Sequence, residues 1–424
     1  MASASGNARS RHVEYNWIDG AESLEKYKPG GYHPVMIGDM LHGRYRIVDK
    51  LGFGGYSTVW LARDTRLEQY IAVKVCIADS KSREANILRA LSPPSPHPGY
   101  SSIPLLLDEF ELNGPNGNHF CYTMTPARCN LREVSFSHIF PLEVVRALAG
   151  RLTLAIAYMH SQGYVHGDIH LRNILVQLPS SFDHLSVEQL YEEYGEPETV
   201  PITQCNGKPL APNIPEKAVL PLYLGKDAEA FSLPDAQVLL SDFGETFKPD
   251  LELRQGKDCH TPPAGRPPEA WFEPQTSSLS YSADIWSLAV AIWEILGMKA
   301  IFSSEYASVD EIISQQIDVL GPLPLKWVES WEKRNQYFDD DGYPKKGRYV
   351  WPSIGEAFEE GVQKYRRKLG MGEFDREEAA AILDLMRRML TFRPEERPTA
   401  REVLQSRWMA QWVLPDFERS SQTG

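Results

Sequence analysis

The sequence predicts an α+β protein of two lobes, a small strand-rich one followed by a large, mainly helical one. Two observations predict it. Strand-like apolar runs crowd the region from Tyr45 to Met124, whereas helix-period runs dominate after Pro141. At 424 residues the chain is also long enough to bury two cores. Hydrophobic residues make up 42% and charged residues 24%, the mix of an ordinary globular protein. Lys and Arg number 44 against 57 Asp and Glu, a net charge of −13. That balance disfavours direct binding to nucleic acid or to an anionic membrane and suits basic partners. Cys76, Cys121, Cys129, Cys205 and Cys259 show no C-x-x-C spacing. Neither a disulfide framework nor a zinc site is expected, and the expected compartment is a reducing one, cytoplasmic or nuclear. Met1 to Arg11 lacks the apolar core of a secretory signal. The apolar stretch Ala283 to Leu296 carries Asp284 and Glu294 and is too short to span a bilayer.

In order, residues 1–28 read as a polar extension with Tyr15 and Trp17 as aromatic anchors, and 29–126 as the small lobe. Strands at Tyr45–Val48 and Ser57–Ala62 flank Leu51-Gly52-Phe53-Gly54-Gly55-Tyr56-Ser57-Thr58-Val59. Glycines without a Cβ let backbone N–H groups close over phosphates. Ser57 stands where a third glycine is usual, and taken alone the stretch reads more readily as a plain glycine-rich hairpin. Ile71-Ala72-Val73-Lys74 then delivers one lysine among apolar neighbours, which calls for an anionic partner. Glu84 is the only acid on the next helix, Lys81–Leu91, and is the expected partner; an ordinary charge favouring the helix N-terminus is the alternative. Strands Ile103–Leu112 and His119–Met124 follow, and Thr125-Pro126-Ala127 connects the lobes.

The large lobe, 127–414, opens with a core helix at Pro141–His160 that leads into Val165-His166-Gly167-Asp168-Ile169-His170-Leu171-Arg172-Asn173. Prolines break any period in 177–236, which reads as an insertion with one short helix at Ser186–Tyr194. A buried strand then ends in Asp242-Phe243-Gly244. Glu269 and Arg397 are expected to pair in the interior. Helices are expected from Asp284 to Leu296, Val309 to Leu320, Glu378 to Leu390 and Ala400 to Trp408, with 415–424 as a tail.

The ordered set Gly52/Gly54, Lys74, Asp168/Asn173, Asp242-Phe243-Gly244, Glu269, Asp284 and Arg397 resembles the eukaryotic protein kinase superfamily from about Tyr45 to Met409. Within it the chain is similar to the SR-protein kinases, in a divergent fungal-type branch. Gly30-Gly31-Tyr32-His33-Pro34-Val35, Ile37-Gly38-Asp39, Gly43-Arg44-Tyr45 and Ser57-Thr58-Val59-Trp60-Leu61-Ala62 carry that likeness, with the insertion before Asp242.

The resemblance implies a bilobal kinase fold and a monomer that uses ATP and Mg2+ to phosphorylate serine in basic arginine/serine-rich proteins. It implies that Lys74, paired with Glu84, orients the phosphates and that Asp168 orients the hydroxyl. Leu51, Gly52, Gly54, Gly55, Ser57, Val59, Ala72, Met124, Thr125 and Ala127 would line the nucleotide, and Asn173 and Asp242 would hold the metal. Glu311 and Asp318 stand where the family carries docking acids. Two turns apart on one helix face, they suit successive arginines, or form an ordinary solvated face.

Two residues depart from the family pattern. Gly167 replaces an arginine that binds an activation-loop phosphate, so activity is expected not to require phosphorylation at Thr246 or Thr261. His170 replaces the lysine that touches the γ-phosphate, and Arg172 is the candidate to supply that charge. The same loop is similar to that of aminoglycoside and choline kinases, one rival reading. A nucleotide-binding pseudokinase scaffold is the other.

Overall fold

Six antiparallel strands form the main sheet, in spatial order β1-β2-β3-β4-β6-β5. They are β1 Met40–Leu41, β2 Tyr45–Gly54, β3 Ser57–Asp64, β4 Gln69–Cys76, β5 Leu106–Gly114 and β6 Gly117–Met124. The computed structural model describes residues 15–80, 83–303, 305 and 307–423. By its packing the chain divides into two units. The smaller comprises the described parts of Met1–Ser82, Leu106–Pro126 and Leu178–Leu224, and the larger those of Arg83–Leu105, Ala127–Gln177 and Gly225–Gly424. Arg83–Leu105, expected in the small lobe, thus groups with the larger unit.

Strand register sorts the side chains of the smaller unit. Directly opposed residues share a face, and Gly52 opposes Val59, Val59 opposes Lys74, and Lys74 opposes Tyr122. One step along, Leu61, Ala72 and Met124 form a second row on that face. The opposite face, with Trp60, Val73, Val75 and Cys121, is closed by Val35, Leu41 and Tyr45 into a core.

The segment 178–224 packs with this smaller unit rather than with the larger lobe. Leu178, Phe182, Leu190 and Leu224 bury themselves with Val48, Leu61 and Tyr70. Ser186 starts its helix, Val187–Tyr194, by a reciprocal cap with Gln189. An antiparallel hairpin, Thr199–Pro201 with Lys217–Val219, adds Ile202, Ile214 and Ala218 to a second cluster with Tyr15, Ile18, Leu24, Tyr27 and Tyr32. Residues 15–28 are therefore core-forming, not a polar extension; Tyr15 is an anchor, but Trp17 is 86% exposed. Outside the helix Val187–Tyr194 neither segment shows a period, because an extended chain pinned at its turns buries apolar residues singly.

The larger unit holds helices α1 Arg83–Leu91, α2 Leu142–Ser161, α3 Tyr281–Leu296, α4 Val309–Leu320, α5 Arg376–Met389 and α6 Leu414–Thr423. Its small antiparallel sheet has β8 Ile174–Gln177 between β7 Ala127–Asn130 and β9 Val238–Leu240. The expected start of α1 at Lys81 lies outside the described residues. α3 is buried along almost its whole length. The expected tail is instead α6, whose Phe417 and the preceding Val413 lie so close to α2 that a Cβ on Gly150 would meet them at 3.2 and 2.9 Å. Glu269 and Arg397 do pair: the buried guanidinium forks onto the carboxylate at 2.8 and 2.6 Å and also donates to the carbonyls of Ser282, Thr391 and Phe392. Among the described residues no helix is long and apolar enough to cross a membrane.

Asp49 on β2 is buried, with Oδ1 accepting from the Lys50 N–H at 2.7 Å and Oδ2 left without a partner. Burial pushes its carboxyl up from 3.8 to about 6, against the pull of that N–H. A carboxyl raised on folding takes up a proton, so its penalty is absent well below the unfolded value and complete above the folded one. Asp49→Asn should therefore raise the free energy of unfolding at pH 7.5 by on the order of 2 kcal/mol and at pH 4.5 by much less. Urea unfolding at the two pH values checks this; an equal gain at both would refute it.

Candidate active site

The loop from His166 to Asn173 runs between two fixed points, the Val165–Phe247 bridge and β8. Irregular from His166 to His170 before a single 3-10 turn at Leu171–Asn173, it needs acceptors for its buried N–H groups. Asp284 of α3, itself 1% exposed, supplies them. Its Oδ2 accepts from His166 N–H at 2.8 Å and lies 2.9 Å from His160 Nε2, and its Oδ1 accepts from Gly167 N–H at 2.9 Å. The buried His166 ring accepts the Asp168 N–H on Nδ1 at 3.2 Å, so Nε2 carries the proton and donates to Ser241 O at 3.1 Å. Thr246 Oγ1 donates to His166 O at 3.3 Å and Thr261 Oγ1 to Gly167 O at 2.8 Å. Gly167 has φ +82°, and a Cβ there would lie 3.0 Å from Glu245 O. The position that lacks arginine is thus one whose backbone favours glycine.

This frame gathers Asp168, Asn173 and Asp242. Asn173 Nδ2 donates to Asp168 O at 3.0 Å and to Oδ2 at 3.2 Å. Ser241 donates to Asn173 O through its N–H at 2.8 Å and its hydroxyl at 3.1 Å, which sets the following Asp242 beside Asn173. Asp242 adopts a left-handed φ of +62°, a strained backbone of the kind that functional sites retain. Asp168 Oδ1 is buried with no hydrogen-bond partner among the described residues. Such an orphan acceptor is costly unless something else meets it. No group of three or more His, Cys, Asp or Glu suited to a metal occurs among the described residues. One carboxylate and one amide fit a cation such as magnesium, which completes its shell with phosphate oxygens and water. His170 Nε2 lies 3.5 Å from Asp168 Oδ2. Behind it on α3, burial pushes the Glu294 carboxyl up, while Arg132 and His170 pull the other way. Arg172 is exposed and has no side-chain partner among the described residues.

In the smaller unit Leu51, Gly52 and Gly54 end β2, Gly55 is in the turn, Ser57 and Val59 begin β3, and Met124 ends β6 ahead of Thr125. Val59, Ala72, Lys74 and Met124 share one sheet face, as the register shows. A Cβ at Gly52 or Gly54 would meet nothing within 4 Å. Neither has positive φ, so glycine is required there neither by packing nor by backbone conformation. Bare backbone facing open space suits close approach of phosphate. Ala127 begins β7 and Glu84 sits in the first turn of α1, both in the larger unit.

Sequence reasoning missed what holds the segment after Gly244. Arg254 pairs with Glu245 at 2.6 Å and Glu252 at 2.9 Å, and Arg83 of α1 pairs with Glu252 at 2.7 Å and donates to Thr246 O at 2.7 Å. His260 adds a contact to Glu245 at 2.9 Å. Burial opposes ionisation of Glu252, but Arg83 and Arg254 outweigh it and hold its carboxyl below the ordinary range. Fixed carboxylates thus already engage the arginines of this segment. Thr246 and Thr261 are buried hydroxyl donors and poorly placed for modification. Dephosphorylated protein should keep its full turnover, whereas Arg254→Ala should lose roughly tenfold, the size of a charged hydrogen bond. Turnover before and after phosphatase treatment checks this, and a large loss on treatment would refute it.

The two expected docking acids differ. Asp318 on α4 is already chelated by Arg348 at 2.6 and 2.7 Å and accepts the Trp351 N–H at 3.0 Å, and its side chain is 2% exposed. The expectation that it offers a free carboxylate is corrected: an arginine from the chain's own loop has taken the place. Glu311 remains exposed and caps the helix with Ser308. Beyond them, Trp293, Tyr349, Trp351, Glu356, Glu359 and Glu360 line a groove of about 650 Å³.

The protein kinase domain family matches residues 45–184 and 230–409 of this chain. A serine/threonine protein kinase of Aspergillus fumigatus is 28% identical over 398 residues, 92% of this chain and 90% of that protein. The serine/threonine-protein kinase SRPK of Physarum polycephalum is 28% identical over 419 residues, covering 93% and 92%. Among solved structures, a crystal structure of a kinase domain aligns with a TM-score of 0.59 and 18% identity over 89% of this chain and 98% of that one, a likeness of fold alone.

Proposed function

The chain belongs to the protein kinase family, as a serine/threonine kinase related to the SR-protein kinases, and we propose that it transfers the γ-phosphoryl group of ATP to serines in basic, arginine/serine-rich proteins. The observation that carries the chemistry is the orphan Oδ1 of Asp168, beside Asn173 and Asp242 on a loop held by Asp284. Asp168 accepts the serine hydroxyl's hydrogen bond and sets its oxygen in line with the γ-phosphorus. The serine Oγ–phosphorus bond forms as its hydroxyl proton passes to Asp168, the bond to the β–γ bridging oxygen breaks, and ADP leaves. Such transfer has little covalent chemistry for the protein, so positioning and charge dominate. Asn173 and Asp242 would hold magnesium, which when bound neutralises charge on the phosphates. Lys74 orients the phosphates, backbone N–H groups of the loop from Gly52 to Ser57 cover them, and Arg172 stabilises charge on the transferred group.

The substrate class is supported by the relation to SR-protein kinases and by acidic, aromatic lining in the groove, which suits guanidinium groups. The family match favours a protein kinase over a small-molecule kinase, and the intact set Lys74, Asp168, Asn173 and Asp242 favours an enzyme over a scaffold.

An assay with magnesium–ATP and an arginine/serine peptide tests the proposal. Transfer should be abolished in Asp168→Ala. It should fall more than about tenfold in Arg172→Ala with nucleotide affinity little changed. An unaltered Arg172→Ala rate would remove that residue from the mechanism, and turnover only with amino-sugars or choline would remove the protein substrate. Glu359→Lys combined with Glu360→Lys should raise KM for the peptide about five- to tenfold while leaving KM for ATP alone. Equal effects on both would dismiss the groove.

A further inference from the structure

Residues 15–44 lie outside the stretch that matches the protein kinase domain, yet the segment from Glu22 to Tyr32 is bonded directly to the glycine-rich loop. Its root is buried. Glu22 takes an ion pair from Lys50 Nζ and a hydrogen bond from the Tyr27 hydroxyl. Lys50 is itself fully buried and lies 5.2 and 5.4 Å from the ring centroids of Phe53 and Trp60. Above this root the chain turns back on itself. Asn213 Nδ2 donates to Tyr27 O at 2.8 Å and the buried Asn116 donates through Nδ2 to Tyr32 O at 2.7 Å. Gly31 passes so close to the Lys26 carbonyl that a Cβ would lie 1.8 Å from its oxygen.

The turn aims two side chains at the loop. Tyr32 Oη donates to Gly54 O at 2.6 Å, and Lys26 Nζ donates to Gly55 O at 3.1 Å. The Tyr32 ring is buried 5.5 Å from Tyr27 and 5.7 Å beneath the Lys26 ammonium, so packing fixes where the hydroxyl sits. In a trans peptide the C=O and the following N–H point in opposite directions. Holding Gly54 O therefore turns the Gly55 N–H away from Tyr32, and holding Gly55 O turns the Tyr56 N–H away from Lys26. Glycine at both positions leaves these peptides more conformational freedom than any other residue would, even with Gly54 opposite Ser57 in the strand pair.

We propose that Tyr32 and Lys26 are positioning residues for nucleotide use, which lock the Gly54 and Gly55 peptides with their N–H groups set for phosphate before nucleotide arrives. Preorganised donors bind more tightly because ordering is not charged against binding. The proposal rests on the assignment of this loop to the phosphates of ATP.

Hydrogen exchange of the nucleotide-free full-length protein, with calorimetric titration of magnesium–ATP, tests it. Tyr32→Phe removes one oxygen and leaves the ring in place. It should speed exchange across residues 52–57, weaken nucleotide binding about three- to tenfold and leave the peptide kcat at saturating ATP within about twofold. Lys26→Ala, at an exposed position that poses no folding risk, should act in the same direction with a smaller effect. Melting temperatures within about 2 °C of wild type exclude a general loss of stability. Unchanged loop exchange, or unchanged nucleotide affinity, in Tyr32→Phe overturns the proposal. A wild type that binds no nucleotide overturns the assignment of the loop itself, and is recognised without any variant.

Discussion

The carboxylate of Asp284 is the contact on which the active site depends. It is a charge buried in the most apolar helix of the chain, a costly arrangement unless every lone pair is met. Two backbone N–H groups of the catalytic loop and the His160 ring meet it. From there the order is transmitted by bonds. The His166 N–H is fixed by Asp284, the His166 ring fixes the Asp168 N–H and the Ser241 carbonyl, and Ser241 fixes Asn173. A loop whose only regular element is one 3-10 turn thus inherits the rigidity of α3. That rigidity holds Asp168 Oδ1 buried and away from any hydrogen-bond partner among the described residues.

The same economy of fixed charge operates on the segment after Gly244. A phosphate brings two negative charges and an on–off switch. Glu245 and Glu252 bring the charge without the switch, and Arg83 and Arg254 receive it. Gly167 is consistent with this. An arginine there would press its Cβ on Glu245 O at a positive φ. Buried Thr246 and Thr261 then serve as ties to the loop backbone.

Much of this was legible in the sequence, and what was not follows a pattern. Residues in regular elements were placed well, because their period or register reports the face: α4 begins and ends at Val309 and Leu320 as expected, and Val59, Ala72, Lys74 and Met124 come together on one sheet face. Asp168, Asn173 and Asp242 were found through spacing, and structure supplies their adjacency. Asp284 carried a signal, a lone acid opening an apolar run. The failures lie in extended chain. Tyr15 to Tyr32, and 178–224 outside its one expected helix, have no period, so nothing in them announced that they bury Tyr27, Tyr32 and Ile202 or clamp a glycine loop. Arg348 reads as one more basic residue after Lys345 and Lys346; only coordinates show that it fills Asp318.

That last pair bears on how this kinase would select the basic substrates proposed for it. An empty buried carboxylate would bind any arginine tightly, but at a standing cost to the fold. With Arg348 already forked onto Asp318 and its guanidinium 4.7 Å from the Phe338 ring centroid, a substrate arginine there could only exchange one good partner for another. Such an exchange has little net driving force, so Asp318 is poorly suited to be the source of affinity. Affinity must come from acids whose present partners are weak. Glu359 and Glu360 pair only with exposed Arg367 and Lys364, contacts worth a fraction of a kcal/mol in water. If the substrates are arginine-rich as proposed, a guanidinium meeting these acids and the rings of Tyr349 and Trp351 in the same groove would displace little. A preference for arginine over lysine would then follow from geometry, since a planar fork uses carboxylate and aromatic face together.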